Sequence, residues 1–287
     1  MIRIPRNPEM KGMSELFSNI VYSTATGSEL SMDLISPWAA TQTGKELRYP
    51  LVVFIQGSAW TFPETGFEIP QLARLASKGF VVATVRHRSI KDGFCAPAFL
   101  QDVKCAIRFL RANAKKYHID SERVYAWGTS SGGNTALLLG LTGDDPRFRT
   151  EEYSEYSDHV SGVAECFGPA NLPELLNENS NPEAQELLRA FCGNQERQEL
   201  LRLLSPVSYV KPGKEYVPFL LIHGDADPVV PFSQSVEMAA LLEDAGAKVD
   251  FICVEGAEHE GTFWSFALYD MIDNFFMRLA YPTDPET

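Results

Sequence analysis

Three things are scarce in this 287-residue sequence: positive charge, pairable cysteine and long apolar runs. Lys and Arg number 25 against 38 Asp and Glu, a formal net charge of −13. A surface with that balance repels phosphate backbones and anionic membranes at long range, so nucleic-acid and membrane partners are not expected. The five cysteines, Cys95, Cys105, Cys166, Cys192 and Cys253, are odd in number, scattered, and nowhere spaced C-x-x-C. Such a pattern builds neither a disulfide framework nor a zinc site and fits reduced thiols acting as small hydrophobes. No stretch approaches the roughly 18 uninterrupted apolar residues of a membrane helix. Met1–Met13 carries charge and two prolines instead of the apolar core of a secretory signal. A cytoplasmic location is the expectation.

What is plentiful is core material. At 45% hydrophobic and 11% aromatic, the chain is too apolar for disorder over most of its length. Short runs without polar alternation recur at Leu51–Ile55, Phe80–Val85, Val124–Trp127, Val160–Phe167, Val217–His223 and Val249–Val254. Such runs suit strands buried on both faces. Helical spacing lies between them: Phe99, Val103, Ile107 and Leu110 alternate with Asp102, Lys104, Arg108 and Arg111 in an amphipathic pattern, and Thr135–Leu141, Gln234–Ala245 and Phe263–Leu279 read similarly. Repeated βα units predict an α/β fold, a mostly parallel central sheet flanked by helices. Residues 19–36 read as an antiparallel hairpin turning at Thr26-Gly27-Ser28. Residues 171–208, with Asn177-Glu178-Asn179-Ser180-Asn181-Pro182, read as a helical cap insertion within a single domain spanning 1–287. No repeat or linker divides the chain.

The sharpest motif is Gly128-Thr129-Ser130-Ser131-Gly132, set between a predicted strand and a predicted helix. G-x-S-x-G puts a serine on a tight strand-to-helix turn, exposed at the sheet's carboxyl edge. The next amide, that of Ser131, then lies at a helix N-terminus, where the dipole favours negative charge. The overlapping Gly128–Thr135 also reads G-x-x-x-x-G-N-T, but a phosphate loop needs a lysine where Asn134 stands.

A serine hydroxyl needs a base. Of five histidines, His118 and His159 read as surface residues, His223 as a packed turn residue, and His87 as a pocket-lining candidate at the end of the Phe80–Val85 strand. His259, in Glu258-His259-Glu260-Gly261 after the last strand, has the place that the chain order Ser…Asp…His requires. Between them, His223-Gly224-Asp225-Ala226-Asp227-Pro228 offers two carboxylates. Asp227 is chosen to orient the imidazole, because Asp225 is expected to bond its own backbone in the turn. An oxyanion needs two or more amide donors. Ser131 supplies one, and the loop Gln56-Gly57-Ser58-Ala59-Trp60 after the first parallel strand supplies the rest.

In this order the three motifs resemble the α/β-hydrolase superfamily. Within it the chain is similar to serine esterases and lipases with an HGGGW-type loop: hormone-sensitive-lipase-like esterases, kynurenine formamidases, and acetyl-xylan or feruloyl esterases. The resemblance implies Ser130, Asp227 and His259 as nucleophile, acid and base. Aligned on Trp60, it implies oxyanion amides at Ser58 and Ala59 beside Ser131, with Gln56 replacing part of the bracing of the family's histidine. It also implies a serine carboxylesterase that cleaves short acyl groups, acetyl foremost, from a small-molecule or oligosaccharide ester, with no metal or organic cofactor. Trp60 and His87 are candidate substrate-binding residues, and Trp60, Phe62 and Phe67 a candidate sugar-stacking wall. Arg86 and Arg88 read either as a carboxylate site or as solvated charges. The same motifs serve an amidase or formamidase, a feruloyl esterase, or a small serine peptidase of the prolyl-oligopeptidase kind, although no propeller repeat is present. A non-enzymatic binding module on this fold typically loses a member of the triad; here all three stand.

Overall fold

A β-branched and aromatic run has no solvent face to offer and must sit inside a sheet covered on both sides. The computed structural model describes residues 1–27, 29–43, 46–176 and 182–282. In it the six runs become β3 (Tyr49–Ile55), β4 (Val81–Val85), β5 (Ile119–Thr129), β6 (Val163–Cys166), β7 (Phe219–Gly224) and β8 (Val249–Val254). These pair in parallel in the spatial order β4-β3-β5-β6-β7-β8. The hairpin of β1 (Ser14–Ser23) and β2 (Leu30–Pro37) joins the free edge of β4 antiparallel, completing eight strands. Ser28 of the expected turn lies outside the described residues.

Successive side chains of a strand point to opposite faces, and β3 shows the consequence. Leu51, Val53 and Ile55 enter one core with Phe99, Leu137 and Met238. Val52 and Phe54 enter the other with Leu72, Trp127 and Phe276. The first face is covered by α3 (Ala98–Ala112), α4 (Ser131–Leu141) and α8 (Ser233–Asp244), the second by α2 (Ile69–Ser77) and α9 (Phe266–Ala280). Each such buried side chain contributes about 2 kcal/mol of transfer free energy. A short α1 (Ala39–Gln42) follows the hairpin.

Helix α3 corrects the simple amphipathic reading. Asp102, Lys104 and Arg108 are buried rather than solvated. Each is paired: Arg88 with Asp102 at 2.7 Å, and Lys104 and Arg108 with Asp158 at 2.6 and 3.0 Å. A buried charge is tolerable only with such a partner.

The segment after β6 carries α5 (Leu172–Leu175), α6 (Pro182–Cys192) and α7 (Arg197–Leu203). Residues 177–181 of its Asn-rich stretch lie outside the described residues. Among the described residues no helix is long and apolar enough to cross a membrane.

Candidate active site

The carboxyl ends of β5, β7 and β8 open onto one rim. Ser130 sits between β5 and α4 at φ +50° and ψ −123°, a conformation that costs on the order of 1–3 kcal/mol and persists only when its surroundings enforce it. The flanking glycines explain why the motif has that spelling. A Cβ on Gly128 would lie 2.0 Å from the Gly132 carbonyl oxygen, and one on Gly132 would lie 2.0 Å from the Ile55 carbonyl oxygen. The Ser130 amide donates to the Cys166 carbonyl at 2.9 Å, pinning the turn to β6. Asn134, where a phosphate loop would have lysine, is fully buried and donates to the carbonyls of Pro169 and Leu204. It ties α4 to the chain just before α5 and just after α7.

Ser130 Oγ lies 3.0 Å from His259 Nε2, and His259 Nδ1 lies 2.6 Å from Asp227 Oδ2. The structure thus brings together the three residues that chain order nominated. His259 rides the loop after β8, and its ring packs edge-on against Phe167 at 4.6 Å between centroids. Asp227 Oδ1 accepts the amides of Val229 and Val230 at 2.7 and 3.0 Å. Burial pushes this carboxyl up, but hydrogen bonds from His223, His259 and those two amides outweigh it and hold it well below the usual carboxylate range. Asp227 therefore stays ionised beside the imidazole.

The turn chemistry is the reverse of the expected one. Asp227 bonds its own following backbone, whereas Asp225 Oδ1 accepts the Gly256 amide at 2.6 Å and ties the acid loop to the histidine loop. His223 is buried, as a packed turn residue should be, yet it also reaches Asp227 Oδ2 at 3.2 Å. Sequence reasoning missed that contact, although the four-residue spacing from His223 to Asp227 was visible.

The oxyanion loop departs from expectation at Ser58. Its amide donates to Ser131 Oγ at 2.9 Å, as that of Gly57 does to Thr129 Oγ1 at 2.8 Å. A donor already engaged is not free for an oxyanion. Among the described residues the amides of Ala59 and Ser131 have no acceptor. Ala59 and Trp60 take left-handed conformations, φ +50° and +56°, which reverse the loop at that point. Thr129 and Ser131 brace the loop in place of the expected Gln56, whose Oε1 is buried without a partner.

Two hollows flank Ser58. One, about 690 Å³, is lined by Ser130, Ser131, Ala59, Trp60, Val229 and Val230, and on its other side by Leu175, Leu176, Ala184 and Leu187 of the segment after β6. The other, about 570 Å³, is lined by Gln56, Phe62, Glu64, Phe67, Glu260 and Trp264. Phe62 and Phe67 are the exposed aromatics of the expected wall. Trp60 is only 3% exposed and packs edge-on against Phe191 of α6 at 4.8 Å, so burial leaves it little face for a sugar to stack on.

His87 is corrected outright. It is buried against Phe99, with its Nδ1 2.9 Å from the Arg88 carbonyl, and lines neither hollow. Burial lowers its pKa, so it is a neutral core residue. Arg88 pairs with Asp102 and is largely buried, whereas Arg86 pairs with Asp33 and keeps about a third of its side chain, 35%, in solvent.

The BD-FAE family profile matches residues 32–242. The chain belongs to the BD-FAE family. Among curated relatives of this BD-FAE chain, the esterase LipQ of Mycobacterium tuberculosis is 28% identical over 79% of the chain and 54% of its own length. The chain spans just over half the length of that relative. The non-reducing polyketide synthase ascC of Acremonium egyptiacum is 45% identical over 84% of the chain but only 14% of its own length. Among solved structures, a truncated carbohydrate esterase from gut microbiota superposes with a TM-score of 0.80 at 28% identity, covering 95% of this chain and 98% of that one. The BD-FAE chain has the α/β-hydrolase fold of these esterases.

Proposed function

We propose that the chain is a serine carboxylesterase working through Ser130, His259 and Asp227. The observation that carries this reading is the unbroken line from Ser130 Oγ through His259 to Asp227 Oδ2, at 3.0 and 2.6 Å, beside two unengaged amides. With its Nδ1–H held by Asp227, the imidazole presents the Nε2 lone pair to Ser130 and takes its proton as Oγ attacks the ester carbonyl. The oxyanion is held by the amides of Ala59 and Ser131, the latter at the positive end of α4. The imidazolium then protonates the departing alcohol, and water activated by the same nitrogen hydrolyses the acyl-enzyme. Each step moves a proton or an acyl group, chemistry that these side chains complete among themselves.

The apolar hollow beneath the cap suits the acyl half, a short chain with acetyl as its smallest member. The second hollow suits the alcohol half. Its aromatic faces match the C–H faces of a sugar ring, and the carboxylates of Glu64 and Glu260 can accept hydrogen bonds from hydroxyls. The gut carbohydrate esterase supports a carbohydrate alcohol. A second reading is favoured by the polyketide synthase segment: the acid half is a polyketide acyl group, and a hollow of about 690 Å³ has room beyond two carbons.

The test is Ser130→Ala. Hydrolysis of p-nitrophenyl acetate should fall to background with an unchanged circular dichroism spectrum, and a fluorophosphonate should label Ser130 in the unaltered chain. Retained turnover would overturn the assignment. Acetylated xylo-oligosaccharides run against an N-acetylcysteamine thioester of an aromatic acid separate the two acyl readings.

A further inference from the structure

We infer that His223 is a positioning residue of the hydrolytic site, sharing Asp227 Oδ2 with His259 and fixing the plane of that carboxylate. This inference rests on the Ser130–His259–Asp227 reading proposed above. His223 lies near the end of β7 with its side chain fully buried, its ring edge-on to Phe232 and Phe167 at 5.7 and 6.5 Å between centroids. Its Nδ1 is 2.7 Å from Ser235 Oγ on α8, and its Nε2 is 2.9 Å from the Val230 carbonyl and 3.2 Å from Asp227 Oδ2. A carbonyl and an ionised carboxylate are acceptors only, so Nε2 carries the proton. In the neutral ring Nδ1 then accepts the Ser235 hydroxyl proton, and both nitrogens are satisfied.

Asp227 has need of such a partner. It sits on a loop without regular structure, between β7 and α8. The Val229 and Val230 amides both hold Oδ1, which leaves the carboxylate free to pivot about that one oxygen. Among the described residues, Oδ2 is met by the hydrogen bond of His259, itself on a loop, and at 3.2 Å by His223, whose Nε2–H bonds the Val230 carbonyl at 2.9 Å and lies beside the carboxylate, anchored to an inner strand and a long helix. His223 therefore transmits the rigidity of the scaffold to the second oxygen. The result is a chain of contacts, Ser235–His223–Asp227–His259–Ser130, of 2.7, 3.2, 2.6 and 3.0 Å. Triad geometry tolerates errors of only about 0.5 Å or 10–20°, so losing the inner anchor should appear in turnover rather than in substrate capture.

The experiment compares His223→Leu, which keeps bulk but no donor, with His223→Gln, whose amide N–H can replace Nε2–H. On p-nitrophenyl acetate, His223→Leu should lower kcat by about tenfold or more with KM within about twofold, and His223→Gln should recover most of the loss. The low-field proton resonance of the His259–Asp227 hydrogen bond should shift in His223→Leu and return in His223→Gln. Equal losses in both folded variants, or a loss confined to KM, would overturn the inference. If His223→Leu does not fold, Ser235→Ala substitutes for it: a kcat loss of about twofold or more at constant KM supports the chain of contacts, and none refutes it. Fluorophosphonate labelling of the unaltered chain keeps the two readings apart. No labelling of Ser130 defeats the triad itself, whereas full labelling with an undiminished His223→Leu defeats only the role of His223.

Discussion

Glu165 on β6 lies beneath α4, the helix that follows Ser130, and is 1% exposed. Its Oε1 accepts the Gly168 amide, and its Oε2 has no partner among the described residues. Burial pushes its carboxyl from 4.5 up to about 8, against the weaker pull of that amide. At pH 4.5 and below, folded and unfolded chains both hold the proton. Between there and about pH 8 only the unfolded chain releases it, so unfolding gains about 1.4 kcal/mol per pH unit. The stability associated with this group is thus complete below its ordinary pKa and is lost, by about 4–5 kcal/mol in all, as pH climbs through about 8. Glu165→Gln keeps the acceptor for Gly168 and removes the titration. Urea unfolding followed by tryptophan fluorescence, repeated from about pH 5 to about pH 8, should show the variant gaining about 4 kcal/mol on the unaltered chain across that range. Glu68, pushed up to about 8 by burial and by Glu260, adds its slope to both chains and cancels in the difference. A pH-independent difference would refute the reasoning.

Asp227→Asn should lower kcat on p-nitrophenyl acetate by about 10⁴-fold with little change in KM, because an amide stabilises the wrong tautomer of His259; a loss under tenfold contradicts its role. Gly132→Ala forces a methyl to 2.0 Å from the Ile55 carbonyl oxygen, so Tm should drop by roughly 6 °C or more in a thermal melt, and an unchanged Tm would mean the elbow has slack. Leu187→Trp fills the hollow beneath the cap: kcat/KM for hexanoate esters should fall by about tenfold while that for acetate stays within about twofold, and equal losses would place the acyl group elsewhere.

The elbow was legible because its chemistry is local: five residues, one strained turn, and glycines whose spacing the backbone demands. The positions of Asp227 and His259 follow from chain order, since a parallel sheet delivers the ends of β5, β7 and β8 to one rim. What stayed hidden depends on side-chain orientation across elements. Ser131 turns its hydroxyl onto the Ser58 amide, and nothing in the loop's own sequence signals that. His87 stands at the right strand end, yet its ring turns inward to Phe99. Asp227 was selected for a sound position and an inverted reason, because either carboxylate can satisfy a turn and only the fold decides which. Helix α2 went unread, since its apolar stripe is brief and a proline stands near its start.

The placement of Ser58 between two hollows of unlike chemistry makes the rim a saddle. On the proposed reading, an ester seated there extends one arm to each side, so recognition is split between separate parts of the chain: α5 and α6 on one flank, the loops carrying Phe62, Phe67 and Glu260 on the other. On that reading, small chromogenic acetates should rest near the crest and report on Ser130 while sampling little of either flank. A covalent inhibitor carrying a greasy tail and a hydroxylated head would read both flanks at once.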